Sequence, residues 1–485
     1  MKRGEELELT VENFASEGKC VARRDGFVIF VPDAVPGDTV RIRVDKVKQN
    51  FATGKAVSIL KPSPFRTTPP CKYFGVCGGC TWQHAQYEAQ LQLKRQTVID
   101  AFERIGGFKE IEVAPTLPSD EIYFYRNKIE FSFSRQRWLL DGEFTARTLG
   151  REEFALGFHH SGRYDRVVDV DACLLQSELS NEILLEVKEF CQSKGLEVYD
   201  SKKQSGYLRF LVIREGKNTG ERMVNLVTFD DRPAIASALC QHLLSRFPTL
   251  TTFVNTINSR RAQIATGEVG RVCHGPGTIT ETLGKYRFRI SANSFFQTNT
   301  KQAEKLFELV KRLGDFRSTD VVYDLYSGAG ALSIYVSDEV EKVVGIELVQ
   351  SSVSDAAHNA LLNGVTNCHF LQGDLKERLT RDTKWVAEHG TPDVVLIDPP
   401  RSGMHPKVVQ SVARLLPSRI VYVSCNPATQ ARDVRSLVAA GYSIECIQPL
   451  DLFPQTSHVE SVVRLVQKGW KGAVLGNSVK TQNFY

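Results

Sequence analysis

From Asp320 onward, short apolar runs alternate with stretches of helical pattern. The runs cover residues 321–325, 342–346, 369–372 and 394–397, another ends at Cys425, and two more lie at 442–447 and 462–466. Such alternation is typical of a doubly wound, mostly parallel α/β sheet of the Rossmann-like kind. The chain has 485 residues, which is enough for two to four domains with separate cores. We place this α/β domain at residues 291–485.

The first 60 residues have the pattern of a small β-barrel. Apolar and polar residues alternate at 7–11 and again at 40–44, where Arg41 and Arg43 would face outward. Short strands with basic outward positions indicate a five-stranded barrel of the oligonucleotide-binding kind. A β-domain that only decorates the surface is the alternative.

A proline-rich stretch at 61–70 separates the barrel from a central domain of mixed α and β pattern, which we place at residues 61–290. Between Ser201 and Ile290 there are 14 lysines and arginines against 6 aspartates and glutamates. This excess fits a polyphosphate partner, which is held mainly by contacts to phosphate. A solvated charged surface would have the same composition.

The bulk composition excludes several classes of protein. The sequence has no apolar run long enough to span a membrane, and no apolar stretch follows the charged start as in a secretory signal. We expect a cytoplasmic chain with no membrane contact. Its eleven cysteines are an odd count without an export signal, so metal ligation or catalysis is favoured over a disulfide framework.

A glycine-containing turn follows the first strand of the α/β domain. It reads Asp324-Leu-Tyr-Ser-Gly328-Ala-Gly330, Glu347 ends the next strand, and Gly373-Asp374 follows the third. Glycines there let a ligand approach the backbone, and the spaced acid suits ribose hydroxyls. The combination resembles class I methyltransferases that bind S-adenosylmethionine. Gly-x-Gly alone could be only a tight turn, and Ser333 replaces the third glycine of the nicotinamide fingerprint.

The fourth strand ends at Asp398-Pro-Pro-Arg401. Methyltransferases acting on amino groups often carry a Pro-Pro-aromatic motif here, so Arg401 argues against an exocyclic amine as target. Asp398 would lie between cofactor and target, or it could only cap the following helix.

A cysteine and a glutamate at later strand boundaries supply a nucleophile and a base. Carbon 5 of uracil takes a methyl group only after a thiolate has added to carbon 6, and a base must then remove the carbon 5 proton. Cys425 in Ser424-Cys-Asn-Pro427 and Glu460 at the end of the stretch from Asp451 are of the required types.

Taken in chain order, these motifs resemble those of bacterial RNA 5-methyluridine methyltransferases over nearly the whole chain. The resemblance implies that Cys425 is the nucleophile and Glu460 the proton acceptor, that residues 1–60 are a TRAM domain, and that the cofactor contacts are Gln297, Tyr326, Glu347, Asp374 and Asp398. Some relatives have an asparagine where this chain has Ala331. Phe295 and Phe296 are candidates for stacking on an extruded base or for core packing.

Three cysteines, Cys71, Cys77 and Cys80, lie on a glycine-rich stretch. With a fourth ligand they could hold structural zinc or an iron–sulfur cluster, and the spacing does not choose between these. Likeness to the ribosomal-RNA branch of the family implies a [4Fe-4S] cluster with Cys173 as fourth ligand. Three unligated cysteines are the alternative.

The run Tyr125-Arg-Asn-Lys128 offers two cations and an amide for phosphate or base contacts, or it is simply a charged strand end. The resemblance implies a monomeric, S-adenosylmethionine-dependent uracil-C5-methyltransferase of 23S ribosomal RNA, because the tRNA branch generally lacks both cluster and barrel. A tRNA methyltransferase and a non-catalytic iron–sulfur RNA-binding factor are the alternatives.

Overall fold

The computed structural model describes residues 1–14, 18–140, 142–143, 153–380 and 384–470. The chain forms two compact units. The first unit combines Met1–Asp120, Pro400–Met404 and Tyr422–Tyr485, and the second combines Glu121–Pro399 and His405–Val421.

The strands, in chain order, are β1 (Glu6–Phe14), β2 (Cys20–Arg24), β3 (Phe27–Val31), β4 (Thr39–Val47), β5 (Phe51–Lys61), β6 (Lys128–Ser134), β7 (Arg137–Trp138), β8 (Ala155–His160), β9 (Arg163–Asp169), β10 (Leu208–Glu215), β11 (Arg222–Thr228), β12 (Thr252–Ile257), β13 (Val269–His274), β14 (Thr278–Leu283), β15 (Tyr286–Ser291), β16 (Val321–Leu325), β17 (Lys342–Glu347), β18 (Cys368–Gln372), β19 (Val394–Ile397), β20 (Arg419–Ser424), β21 (Tyr442–Leu450) and β22 (Glu460–Gln467). The α-helices are α1 (Tyr87–Ala101), α2 (Glu178–Ser193), α3 (Pro233–Arg246), α4 (Thr300–Gly314), α5 (Ala331–Val336), α6 (Gln350–Leu362), α7 (Leu375–Arg378), α8 (Lys384–His389), α9 (Pro406–Leu415) and α10 (Pro427–Ala439). A π-helical turn, Phe102–Gly106, continues α1, and a 3₁₀ turn, Ser337–Glu339, follows α5.

In the first unit, β1 to β5 close into a barrel in the order β1-β2-β3-β5-β4. Side chains alternate between buried and exposed along β1 and β4, as a strand with one face on a core requires. The inward set includes Leu7, Val11, Val40 and Ile42. The predicted five-stranded barrel is therefore confirmed.

The outward arginines of the barrel are neutralised by the neighbouring strand. Arg41 lies 2.7 Å from Glu8, and Arg43 lies 3.0 Å from Glu6, with all four side chains substantially exposed. The alternation in β4 predicted the outward direction of the arginines, but the acids that face them belong to β1. Arg41 and Arg43 are therefore each paired with a carboxylate and do not form an uncompensated basic surface.

In the second unit, an eight-stranded sheet has the order β13-β12-β11-β10-β6-β8-β9-β7, and β14 pairs with β15 in a separate hairpin. The mixed α and β pattern of the central region thus corresponds to strands such as β6, β10 and β11 and to helix α3.

The same unit contains a parallel sheet of the order β18-β17-β16-β19. Helices α5 and α6 follow β16 and β17, as in a Rossmann-like fold. Because parallel strands end at one edge, Asp324, Glu347 and Asp398 come to the same side of this sheet. The α/β class predicted from the alternation of strands and helices is confirmed.

The first unit contains an antiparallel pair, in which Leu450 at the end of β21 faces Glu460 at the start of β22. Strand β22 lies between β20 and β21. Among the described residues, no helix is both long and apolar enough to cross a membrane.

A buried arginine in the second unit satisfies the end of a helix. Arg419 is 1% exposed, its guanidinium donates to the carbonyls of Gly314 (2.9 Å) and Asp315 at the carboxyl end of α4, and it lies 2.6 Å from the buried carboxylate of Asp320. The last carbonyls of a helix have no partner within the helix, and they carry a partial negative charge. Arg419 therefore supplies both hydrogen bonds and charge compensation.

The substitution Arg419→Met should lower the free energy of unfolding by about 3–5 kcal/mol, because it leaves Asp320 as a buried, uncompensated charge. Urea denaturation followed by fluorescence measures this. The control is Arg271→Met, which removes the exposed pair with Asp231 (2.5 Å) and should cost less than about 1 kcal/mol. Equal effects of the two substitutions would contradict the stated role of Arg419.

Candidate active site

The turn between β16 and α5 forms the floor of a cleft in the second unit. Gly330 has a positive φ of 78°, and a Cβ there would lie within 2.9 Å of Phe370 and Ala356, so only glycine fits. A Cβ on Gly328 would meet nothing within 4 Å, which leaves its backbone open to a ligand. Tyr326 also has a positive φ, 68°, which is uncommon for a residue with a side chain and clusters at functional sites.

The cleft is lined mostly by apolar and aromatic side chains, with an amide and two carboxyls among them. The lining residues are Leu283, Phe295, Phe296, Gln297, Phe307, Asp324, Tyr326, Ser327, Gly328, Ala329, Ala331, Leu332 and Asp398. Three of the predicted cofactor contacts, Gln297, Tyr326 and Asp398, are thus brought together. Leu283 and Phe307, which come from β14 and α4, were not predicted from the sequence.

The two other predicted contacts lie outside the described lining of this cleft. Glu347, at the end of β17, accepts hydrogen bonds from the backbone N–H of Gly328 (3.1 Å) and of Val349 (2.8 Å). It therefore fixes the glycine turn that forms the cleft floor. Asp374 is exposed, and its side chain caps α7 by accepting from the N–H of Lys376 (2.8 Å).

The two carboxyl groups of the cleft share an environment that disfavours negative charge. Burial raises the pKa of Asp324 to about 7, although a hydrogen bond from the Ser333 hydroxyl (2.5 Å) opposes the shift. Burial, followed by the charge of Asp324, raises the pKa of Asp398 to about 7. Two such groups favour a cationic ligand, whose charge would stabilise their ionised forms.

The loop that carries Gln297 is held by a buried asparagine. Asn127 donates its side-chain N–H groups to the Gln297 carbonyl (2.8 Å) and to the Thr300 hydroxyl (2.9 Å), and it is 6% exposed. Its neighbour Lys128 lies 2.5 Å from Glu130. The contacts of Asn127 and Lys128 within the protein favour the interpretation of these two residues as part of a polar strand end over a role in contacting RNA.

Two adjacent phenylalanines border the cleft in different ways. Phe295 is 67% exposed, whereas Phe296 is 6% exposed and packs near the ring of Phe288 at a centroid distance of 6.0 Å. Phe296 is thus the core aromatic of the pair, and Phe295 has a face available for stacking.

In the first unit, Cys425 lies between the end of β20 and helix α10. Its side chain is partly exposed. Asn426 caps α10 by accepting from the N–H of Ala428 (3.1 Å), and its own side chain donates to the carbonyl of Arg401 (2.8 Å). The peptide after the cysteine is therefore held on both sides.

Glu460 is buried, with 5% exposure, and is the first residue of β22. The side chain of Gln430, on α10, donates to the carbonyls of Tyr422 in β20 (2.8 Å) and of Ser461 in β22 (2.9 Å). Because Gln430 bridges the end of β20 and the start of β22, Cys425 and Glu460 belong to the same edge of the first unit.

Arg401 lies in the first unit as well. Its guanidinium is 2.8 Å from Nδ1 of His458, two residues before Glu460, and both side chains are exposed. The arginine that replaces the aromatic of amino-group methyltransferases therefore contacts the segment that leads to the predicted base.

The predicted metal ligands lie in both units. Cys71, Cys77 and Cys80 are partly buried on a turn of the first unit, where the N–H of Gly79 points at the Cys77 sulfur (3.4 Å). Cys173 belongs to the second unit, where Asn181 accepts from its N–H (2.8 Å). In the part of the chain that the structure describes, no group of three or more His, Cys, Asp or Glu side chains is placed to hold a metal ion. The predicted cysteine-ligated centre is thus not confirmed.

Comparison with known proteins bears on both units. The profile of the tRNA (uracil-5-)-methyltransferase family matches residues 276–468, and that of the TRAM domain matches residues 1–57. Two uncharacterized RNA methyltransferases, from Chlorobaculum tepidum and Porphyromonas gingivalis, are each 42% identical to the chain over 95% of its length, and they are covered to 96% and 99%.

A solved structure is similar over nearly the whole chain. It is that of the Pyrococcus abyssi tRNA (uracil-54, C5)-methyltransferase in complex with S-adenosyl-L-homocysteine, with 30% identity and a TM-score of 0.72. The alignment covers 95% of this chain and all of the archaeal one. The predicted fold, TRAM domain and enzyme class are confirmed, and the chain belongs to the family of S-adenosylmethionine-dependent RNA uracil-C5-methyltransferases.

Proposed function

We propose that this enzyme methylates carbon 5 of a specific uridine in 23S ribosomal RNA, as a cytoplasmic monomer, with Cys425 as nucleophile and Glu460 as base. The observation that carries the proposal is the shared edge of Cys425 and Glu460, fixed by Gln430. A thiol and a carboxyl are the two protein groups that this chemistry requires. We retain residues 1–60, 61–290 and 291–485 as the proposed domains.

The thiolate of Cys425 adds to carbon 6 of the uracil, and the electrons of the double bond move to carbon 5 and the carbonyl. S-adenosylmethionine supplies a methyl group on a sulfonium, and a thioether departs with the bonding electrons. Carbon 5 then carries both a methyl group and a proton. Glu460 removes this proton, the double bond re-forms, and Cys425 is expelled as a thiolate.

We propose Gln297, Tyr326, Glu347, Asp374 and Asp398 as cofactor contacts. The cleft fits this ligand because its apolar walls suit an adenine, its open glycine suits close backbone approach, and its two carboxyls favour a sulfonium cation. The exposed ring of Phe295 would stack on the target base once that base is extruded.

The choice of ribosomal RNA rests on the cysteines, which resemble those of the ribosomal-RNA branch, because the barrel falls largely within the 95% of this chain that aligns with a tRNA enzyme. The archaeal neighbour acts on uridine 54 of tRNA and supports the alternative substrate. A non-catalytic RNA-binding factor is disfavoured because the nucleophile, the base and the cleft are all present.

We propose further that Cys71, Cys77, Cys80 and Cys173 ligate a [4Fe-4S] cluster that organises the RNA-binding region. Four thiols are the donor set that such a cluster takes, and a backbone N–H directed at the Cys77 sulfur suits a charged thiolate. Zinc is the alternative metal. No step of the reaction involves this centre.

In cells that carry Cys425→Ala in place of the native chain, 5-methyluridine should disappear from 23S ribosomal RNA and persist in tRNA. Alanine has no thiolate to add to carbon 6, so carbon 5 is not activated and cannot take the methyl group. Mass-spectrometric mapping of both RNA classes is the measurement. Loss confined to tRNA would establish the alternative substrate, and full retention in both would refute the nucleophile assignment.

Purified Glu460→Gln should transfer the methyl group and then stall, because an amide cannot accept the carbon 5 proton. A protein–RNA adduct that survives denaturing electrophoresis should accumulate and contain one labelled methyl group. Glu103→Gln, at an exposed position of the same unit, is the matched control and should release product. Normal turnover by Glu460→Gln would mean that another group is the base.

Chain purified without oxygen should contain about four iron atoms and absorb visible light, as expected for a [4Fe-4S] cluster. Cys77→Ala should lose the iron, whereas Cys273→Ala, at a cysteine outside the proposed set, should keep it. Metal analysis and absorption spectroscopy provide both readouts. Stoichiometric zinc, or no metal in the native chain, would contradict the cluster.

A further inference from the structure

The segment that leads to Glu460, residues 451–459, is held by side chains on one face of α1. Tyr87, Gln90 and Lys94 are spaced by three and four residues, which places them on one side of the helix. Each of these side chains bonds to the 451–459 segment, and all of these residues belong to the first unit. These hydrogen bonds thus connect α1, a helix in the first part of the chain, to the segment that precedes the predicted base.

Lys94 and Asp451 form a fully buried ion pair. Lys94 Nζ lies 2.5 Å from Asp451 Oδ1, both side chains are 0% exposed, and Nζ also donates to the carbonyl of Phe453 (3.0 Å). The Tyr87 hydroxyl donates to the second carboxylate oxygen (2.9 Å). A buried pair is a poor source of stability, because removing two charges from water is costly, but it enforces one arrangement of the groups around it.

Gln90 and Gln455 form a reciprocal amide pair. The side-chain amide of Gln90 donates through Nε2 to Gln455 Oε1 (3.0 Å). The Oε1 atom of Gln90 accepts from the backbone N–H of Gln455 (3.0 Å). Gln455 has a positive φ of 67°, a conformation that a side chain disfavours and that the surroundings must impose.

Residues just before α1 also form hydrogen bonds to the 451–459 segment. The N–H groups of Thr81 and Trp82 both donate to the Gln455 carbonyl (2.9 and 3.1 Å), and the Thr81 hydroxyl accepts from the N–H of Ser457 (3.0 Å). The segment is therefore fixed at Asp451, Gln455 and Ser457, the last of which is three residues before Glu460.

We propose that Lys94 is a positioning residue for the base: through Asp451 it fixes the segment that sets the carboxylate of Glu460. The inference rests on the proposed function, because it assigns Lys94 to the proton-abstraction step. Cys425 follows β20, and its neighbours Asn426 and Gln430 donate to the carbonyls of Arg401, Tyr422 and Ser461. Loss of Lys94 should therefore slow proton abstraction and release of the cysteine far more than the addition of the cysteine to carbon 6.

The experiment separates the two steps in a single turnover with labelled methyl donor and substrate RNA. Lys94→Met should leave the rate of methyl transfer within about twofold of native and slow the release of protein from RNA by roughly 10- to 100-fold, the scale of a misplacement of about 1 Å. A methylated adduct should accumulate. The control is Lys109→Met, which removes an exposed lysine of the same unit and should leave both rates unchanged.

A purely structural role of Lys94 would slow both steps together, and that result would overturn the proposal. If Lys94→Met does not fold, Tyr87→Phe decides: it keeps the ring and removes the hydroxyl that donates to Asp451 (2.9 Å) and accepts from the N–H of Ser119 (2.7 Å). This variant should slow release alone. Glu460→Gln is assayed in parallel. If it stalls and neither α1 variant does, only this inference fails; if it does not stall, the proposed base itself is wrong.

Discussion

Parallel strands end at one edge of their sheet, and the cleft that we propose for the cofactor depends on that constraint. Asp324, Glu347 and Asp398 stand at or beyond the ends of three neighbouring strands. Each has a different environment: Asp324 is buried against Ser333, Glu347 holds the glycine turn, and Asp398 is half-buried in the cleft. The sheet therefore determines where the carboxyls lie, and burial raises the pKa values of Asp324 and Asp398.

Loops that carry functional residues are held by buried polar groups from distant parts of the chain. Asn127 supports the loop of Gln297, and Gln430 joins the strands of Cys425 and Glu460. Lys94 holds the segment before Glu460 in the same manner. Inside a protein such groups are costly unless fully paired, so each of them permits few alternative arrangements. Positional accuracy at the site is therefore supplied by residues that do not react.

The sequence was sufficient for features that have a local period or a fixed place on a strand. Alternation predicted the barrel and the α/β sheet, and the resemblance to a known family predicted Gln297, Tyr326 and Asp398, which the structure brings to one cleft. Contacts between distant segments carry no such period. Three contacts could therefore be found only in the structure. They are the pairing of Arg41 with Glu8, the hydrogen bonds of the buried Asn127, and the contacts of α1 with the 451–459 segment. The cysteine spacing suggested a metal, but spacing alone does not define ligand geometry.

In the proposed reaction, the sulfur of Cys425 bonds to carbon 6 of the target uracil. RNA in which the target carries 5-fluorouridine tests this directly, because a base cannot remove fluorine as a cation and the methylated adduct cannot resolve. With S-adenosylmethionine present, the account predicts one stable adduct per chain. Mass spectrometry of the digested complex should place the methylated, fluorinated nucleotide on the peptide that contains Cys425. A modified peptide without Cys425, or turnover with no adduct at all, would contradict the account.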